Sequence, residues 1–188
     1  MTDPSYAGQI VTFTFPHIGN VGANEEDIED LNPASRAGAV GAIFKASVTD
    51  PSNYRSEGQL SDWLKRRGVI AMAGIDSRAL TALIRQKGSP NAIIVHAPDG
   101  VFDVDALKAK ARAWSGLVGL DLAIDVTSGQ SSVWTETPWV WNEGYGEQNA
   151  PSMHIVAIDY GVKRNILRLL AGLGAKVAVV PAETSAAE

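Results

Sequence analysis

The 188-residue sequence contains no cysteine. That absence removes disulfides, thiolate metal ligation and any cysteine nucleophile from this chain. Cationic residues are in the minority, with 16 Lys and Arg against 21 Asp and Glu and a formal net charge of -5. A basic footprint for nucleic acid or an anionic membrane surface is therefore missing, and neither partner is expected. No apolar run approaches the length of a membrane span, and the N-terminus lacks the basic-then-apolar order of a signal peptide. The three histidines, His17, His96 and His154, lie too far apart to make a ligand pair at helical or loop spacing, so no metal site is expected. No serine occupies a nucleophile-elbow context. What remains is an acidic, cytoplasmic α/β protein.

The chain does carry alternating secondary-structure signals. Gly8–Phe15 (GQIVTFTF) alternates β-formers and predicts a strand, followed by a loop of breakers at Pro16–Gly22. Asn24–Asp30 (NEEDIED) reads as a solvated acidic turn or helical start. Ala39–Val48 is a buried-strand candidate. Ser56 and Gln59 fit a capping box ahead of a stripe of Leu60, Trp63 and Leu64, with Gly68 as the stop. Val69–Gly74 predicts a short strand. Asp76 can cap a helix that buries Leu80, Leu83 and Ile84 before Gly88. Asn91–Ala97 predicts another strand, and Asp103 a helix with Leu107, Ala111 and Trp114 on one face. Together these describe a compact α/β domain of layered sheets and helices over residues 1–127.

From Ser128 to Ser152 the composition turns to Gly, Ser, Asn and Pro yet holds Trp134, Trp139 and Trp141. A purely flexible linker has no use for three tryptophans, so an aromatic hairpin covering an interface is expected here. Residues 153–188 then read as strand, helix and strand, the start of a second domain. A dinucleotide fingerprint is absent from that unit. DYGVKRN supplies only Gly161, and Gly172 and Gly174 follow the helix, where they serve as its stop.

Several segments resemble the family of small subunits of glutamine-dependent carbamoyl phosphate synthases. They are Met1–Asp27, Pro51–Gly88, Gly119–Ser128 and Ala157–Glu188, with PHIGNVG and DYGVKRNILR the most specific parts. The resemblance implies a class I glutamine amidotransferase domain of flavodoxin-like type behind the N-terminal domain, of which residues 153–188 would be the first β-α-β. It further implies that the chain is an N-terminal fragment. The family's cysteine nucleophile, His–Glu pair and oxyanion loop would lie beyond Glu188, and the first strands of its N-terminal domain would precede Met1. No catalytic residue is then expected in this chain.

One pocket residue carries over. The serine of the family's TDPSY motif lines the glutamine pocket, and here it is Ser5. TDPSNY at Thr49–Tyr54 repeats the start of the motif, but only the first copy is followed by GQIVTFTFPHIGN. Without the resemblance, Ser5 reads as a turn-former. Asp3 and Lys163 sit in the two most family-like motifs, each in a turn beside a strand. One reading has them meet as an ion pair at the domain junction, near where ammonia would leave; a solvated Lys163 that pairs with nothing is weighed above it. The resemblance implies L-glutamine as substrate and a large subunit as partner, and ATP and Mg sites in that subunit with no cofactor in this one. The product, carbamoyl phosphate, serves arginine and pyrimidine biosynthesis. A non-catalytic interaction domain is the rival reading, and a lone nucleotide-binding domain lacks its phosphate cradle.

Overall fold

The computed structural model describes residues 1–29, 31 and 38–187; Asp30, the end of the acidic Asn24–Asp30 run, lies outside the described residues. The chain divides into two units, one of Met1, Gly8–Ile28 and Ala39–Leu120, the other of Thr2–Ala7, the described residues of Glu29–Gly38, and Asp121–Glu188. Both are mixed α/β. No helix among the described residues is long and apolar enough to cross a membrane.

In the first unit, β1 (Ile10–Thr12), β2 (Gly41–Ile43) and β3 (Ile70–Met72) form a parallel sheet in that order. Between β2 and β3 runs α1 (Leu60–Arg67), which buries Trp63 and Leu64 against Ala42 and Phe44, with Phe13 edge-on to Phe44. Gly68 ends α1 in the left-handed conformation, as its position after the apolar stripe predicts. The expected capping box does not form, because Ser56 Oγ donates to the Gly58 carbonyl and Gln59 donates to Asp50 instead. Asp76 and Asp103 do cap α2 (Ser77–Lys87) and α3 (Val104–Ala113), accepting from Ala79 and Ala106. Neither helix buries an apolar face deeply, and Leu83 is exposed. The Asn91–Ala97 strand is absent. Its Ile94 packs on Gly41 of β2 without a ladder, while Ile93 and Val95 stay exposed. The acidic run is a turn in which Asn24 Oδ1 accepts from Asp27 N, and Arg55 pairs with both Glu26 and Asp27 at 2.9 Å.

The second unit contains α4 (Leu122–Val126), β4 (Ser132–Trp134), the antiparallel pair β5 (Glu136–Val140) and β6 (Gly144–Glu147), then β7 (Met153–Asp159), α5 (Arg164–Gly172) and β8 (Ala175–Pro181). β7 and β8 are parallel from Met153 opposite Ala175 to Asp159 opposite Pro181, and β4 adds antiparallel to the other edge of β8. The residues 128–152 therefore include a sheet strand that the composition of this stretch hides.

α5 lies on one face of the sheet, where Leu167, Ala175, Val177 and Val179 are fully buried. The β5–β6 hairpin packs on α5 as well. Arg168, buried in the middle of the helix, donates through Nε to Glu136 at 2.5 Å and stacks its guanidinium 3.8 Å from the Tyr145 ring. Gly172 must be glycine for this packing, since a Cβ there would stand 2.7 Å from Pro138. Trp139 and Trp141 meet edge-to-face at 5.8 Å, with Trp141 exposed; Trp134 packs on the buried cluster of Leu167, Val177 and Val179, and the Tyr145 ring covers Arg168.

The opposite sheet face is open, with Val133, Val156 and Ile158 about half or more exposed, and Ile166 and Leu169 face outward from α5. Uncovered positions thus fall on one side of each element, while Val177 and Val179 are closed off by α5. This one-sidedness has a measurable consequence. Leu167→Ala should destabilise the unit by about 2–5 kcal/mol through the cavity it leaves. Val156→Thr should change stability by no more than about 0.5 kcal/mol while reducing self-association. Denaturant titration and sedimentation check the pair; equal destabilisation by both would mean that the second face is not open in solution.

Candidate functional site

The carboxyl end of β7 runs into a tight turn, Asp159 to Lys163, that delivers α5. Asp159 is 1% exposed, and its carboxylate takes three backbone N–H donors. Oδ1 accepts from Gly161 and Val162, both at 2.9 Å, and Oδ2 accepts from Ser128 at 2.7 Å. Two of these donors lie just ahead of α5, where backbone N–H groups have no helical partner and a negative charge is favoured. Gly161 takes φ +91°, which side-chain-bearing residues rarely adopt, and a Cβ there would stand 3.0 Å from Val126 and 3.1 Å from Pro4. The turn is tied to α4 and to the segment at the start of the chain.

That segment, Pro4–Tyr6, is a single 3₁₀ turn. Asp3 precedes it in the extended conformation (φ -66°, ψ 121°) that a following proline favours. Asp3 Oδ1 accepts from Ser5 N at 3.0 Å and from the Ser5 hydroxyl at 2.6 Å. Its other oxygen, Oδ2, lies 2.7 Å from Lys163 Nζ. Thr2, also buried, accepts from Glu29 N at 3.0 Å and anchors the segment from its other end.

Ser5, Asp3 and Lys163, separated by about 160 positions in sequence, therefore form one connected cluster. Lys163 and Asp3 are paired, which corrects the favoured reading of Lys163 as solvated and unpaired. All three residues fall in the second unit.

The electrostatics follow from exposure. The Asp3 side chain is 13% exposed and that of Lys163 48% exposed. Burial pushes the Asp3 carboxyl up, but the hydrogen bond from Lys163, those from Ser5 and the lysine charge outweigh it and hold it below its ordinary 3.8. Lys163 is raised above its ordinary 10.5 by the hydrogen bond to Asp3 and then by the Asp3 charge. At neutral pH the pair is fully ionised. With its proton directed at Asp3, the Ser5 hydroxyl is oriented rather than freely rotating. Among the described residues no group of three or more His, Asp or Glu side chains is placed to hold a metal ion.

Asp159 opens the DYGVKRN motif, and sequence reasoning misses its role. The signal that could have found it is local: an aspartate at a strand end with glycine two residues on is the pattern of an Asx turn.

Residues 1–94 match the family model described as "Carbamoyl-phosphate synthase small chain, CPSase domain". The chain is similar along its whole length to the carbamoyl phosphate synthase small chain of Mesorhizobium japonicum, at 78% identity over 188 residues covering 100% of this chain and 47% of that protein. It is 71% identical to the small chain of Agrobacterium fabrum, covering 99% of this chain and 47% of the relative. The corresponding protein of Brucella ovis is 70% identical, with 99% and 46% covered. The chain thus spans about half the length of these relatives.

The ion pair sets a pH signature. Asp3 has a depressed folded value, so its contribution is present above pH 3.8 and is lost as pH falls through the lower folded value. Lys163 has a raised folded value, so its contribution is present below pH 10.5 and is lost as pH rises through the folded value. Lys163→Met should lower the melting temperature throughout the interval between these limits, modestly because the lysine is half exposed. The difference from wild type should shrink at both extremes. A difference that stays constant from acid to alkaline pH would show that the pair does not act as a charged pair in solution.

Proposed function

The chain belongs to the carbamoyl-phosphate synthase small chain family, and from that membership and the geometry around Ser5 we propose that it supplies the Ser5-bearing wall of a glutamine pocket. The intact small subunit would hydrolyse the side-chain amide of glutamine and pass ammonia to a large subunit. There, ATP-activated bicarbonate would capture the ammonia, and a second ATP would yield carbamoyl phosphate. ATP and Mg would belong to the large subunit, with both subunits in the cytoplasm. The cysteine thiolate that attacks the amide cannot come from a chain without cysteine, so the role of this one is binding and positioning.

The observation that carries the reading is the fixed hydroxyl of Ser5, 2.6 Å from a carboxylate that is itself held by Lys163. A free amino acid presents an ammonium and a carboxylate. The Ser5 oxygen can accept from the ammonium while still donating to Asp3. It can meet the carboxylate only by turning its proton away from Asp3. Either contact is a hydrogen bond to a charged group. Lys163 and Asp3 would stand beside the path by which ammonia leaves. Their charges are mutually satisfied there, so neither is available to protonate or trap the departing ammonia.

The test is made in a small subunit of its relatives' full length, assembled with the large subunit. Ser5→Ala should raise the glutamine KM with a loss of about 1.5–3 kcal/mol, about ten- to a hundredfold. Synthesis from added ammonia should be nearly unchanged. Unaltered glutamine kinetics would remove Ser5 from the pocket.

The lack of cysteine also favours a second reading, a non-catalytic interaction domain on the same fold. Under the first reading, the 188-residue chain alone should release no glutamate from glutamine above background, and a polypeptide of the relatives' length that carries the cysteine nucleophile should release it. Under the second, a polypeptide of the relatives' length would be equally inert, and an assay of glutamate release separates the two.

A further inference from the structure

We infer that Asp159 is a positioning residue for Ser5, acting through the Gly161–Lys163 turn and the Asp3 carboxylate. The inference concerns a residue with no route to substrate of its own, because its carboxylate is buried and surrounded by the three backbone donors at 2.7–2.9 Å. What it controls is the path of the chain. The N–H groups it holds belong to the two residues immediately before Lys163, so the carboxylate fixes the point from which the Lys163 side chain departs. Its second oxygen holds Ser128. The neighbouring Thr127 accepts from Ala182 just past β8. The turn is thereby referenced to the ends of both parallel strands.

From there the links are short and directional. Pro4 packs on Gly161, Lys163 Nζ reaches Asp3 Oδ2 at 2.7 Å, and Asp3 Oδ1 holds both the amide and the hydroxyl of Ser5. A hydrogen bond weakens steeply once its length or angle departs from the preferred range. A turn displaced by about an ångström would therefore release the lysine from Asp3 and free the Ser5 hydroxyl to rotate. The link from Asp159 to Asp3 rests on geometry alone; its consequence for glutamine rests on the proposed pocket.

The experiment separates the two. In the 188-residue chain, the titration of the Asp3 carboxyl is followed by carbon-detected NMR in wild type, Lys163→Met and Asp159→Asn. The groups facing this titration are Lys163 on Asp3 itself, with Tyr6 and Glu29 acting on Lys163. Lys163→Met sets the midpoint expected when the pair is lost. Asp159→Asn should move the Asp3 midpoint upward by at least half that amount, although it alters neither partner. A folded Asp159→Asn chain in which Asp3 titrates as in wild type overturns the inference.

Should Asp159→Asn not fold, Ser128→Pro removes one donor and leaves the carboxylate in place. Thr127 already has the extended geometry (φ -67°, ψ 151°) that a following proline requires. It should give a smaller upward movement of the Asp3 midpoint, and no movement overturns the inference. In the assembled synthase, Asp159→Asn should then raise the glutamine KM about ten- to a hundredfold, the usual scale for slight misplacement, with ammonia-dependent synthesis preserved. Failure of Ser5→Ala to affect glutamine would discard the pocket while leaving the Asp3 titration result standing.

Discussion

The parallel pairing of β7 with β8 is the constraint from which the second unit takes its form. Two parallel neighbours cannot be joined by a hairpin, so the chain must cross from the end of one to the start of the other, and α5 is that crossing. The crossing buries Leu167 on Val177 and Val179. It also puts the carboxyl ends of both strands and the N-terminus of the helix at one end of the sheet, where open α/β sheets place their ligands. Asp159, Gly161 and Lys163 all occupy that end because the topology leaves them nowhere else. The Thr2–Ala7 segment docks there, bringing Ser5 to it.

A lysine ahead of a helix sits against the positive end of the macrodipole. Two carboxylates offset that cost in different ways. Asp159 takes up the N–H groups just ahead of α5 from inside the protein, and Asp3 takes the lysine head group at the half-exposed edge. The arrangement is weak as a source of stability, since one partner of the ion pair is about half in water. It is stronger as a source of direction. A carboxylate bound on one oxygen by lysine and on the other by the Ser5 amide and hydroxyl has little freedom to rotate, and the Ser5 hydroxyl inherits that order.

Much of this was legible from residue patterns. The β-α-β of residues 153–188, the caps at Asp76 and Asp103, the stop at Gly68 and the extended Asp3 all rest on local rules, and local rules suffice where a few neighbouring residues decide the outcome. The misreadings share the opposite character. β4 lies in a Ser- and Gly-rich stretch because half of its pairing need is met by β8, some 45 positions later in sequence. Asn91–Ala97 has every strand former it needs but makes no ladder. The burial of Arg168 depends on Glu136 and Tyr145, which lie on the hairpin and which nothing in the helix's own sequence specifies. At the site, the meeting of Asp3 with Lys163 could be expected only because two family-like motifs suggested it, since nothing in either local sequence specifies the other.

The same distinction bears on what the Ser5 turn contributes. A three-residue 3₁₀ turn has almost no capacity to hold itself in place, because it closes few hydrogen bonds and orders several residues to make them. Here its fixity comes from outside: Thr2 on Glu29, Pro4 on Gly161 and Asp3 on Lys163. Two of those three contacts land on the single turn organised by Asp159. A hydroxyl that must meet one charged group of a small substrate gains more from such external bracing than from greater intrinsic reactivity, since a hydrogen bond to charge depends on where the oxygen is and which way its proton points. The serine supplies the contact, and the buried aspartate behind it supplies the place.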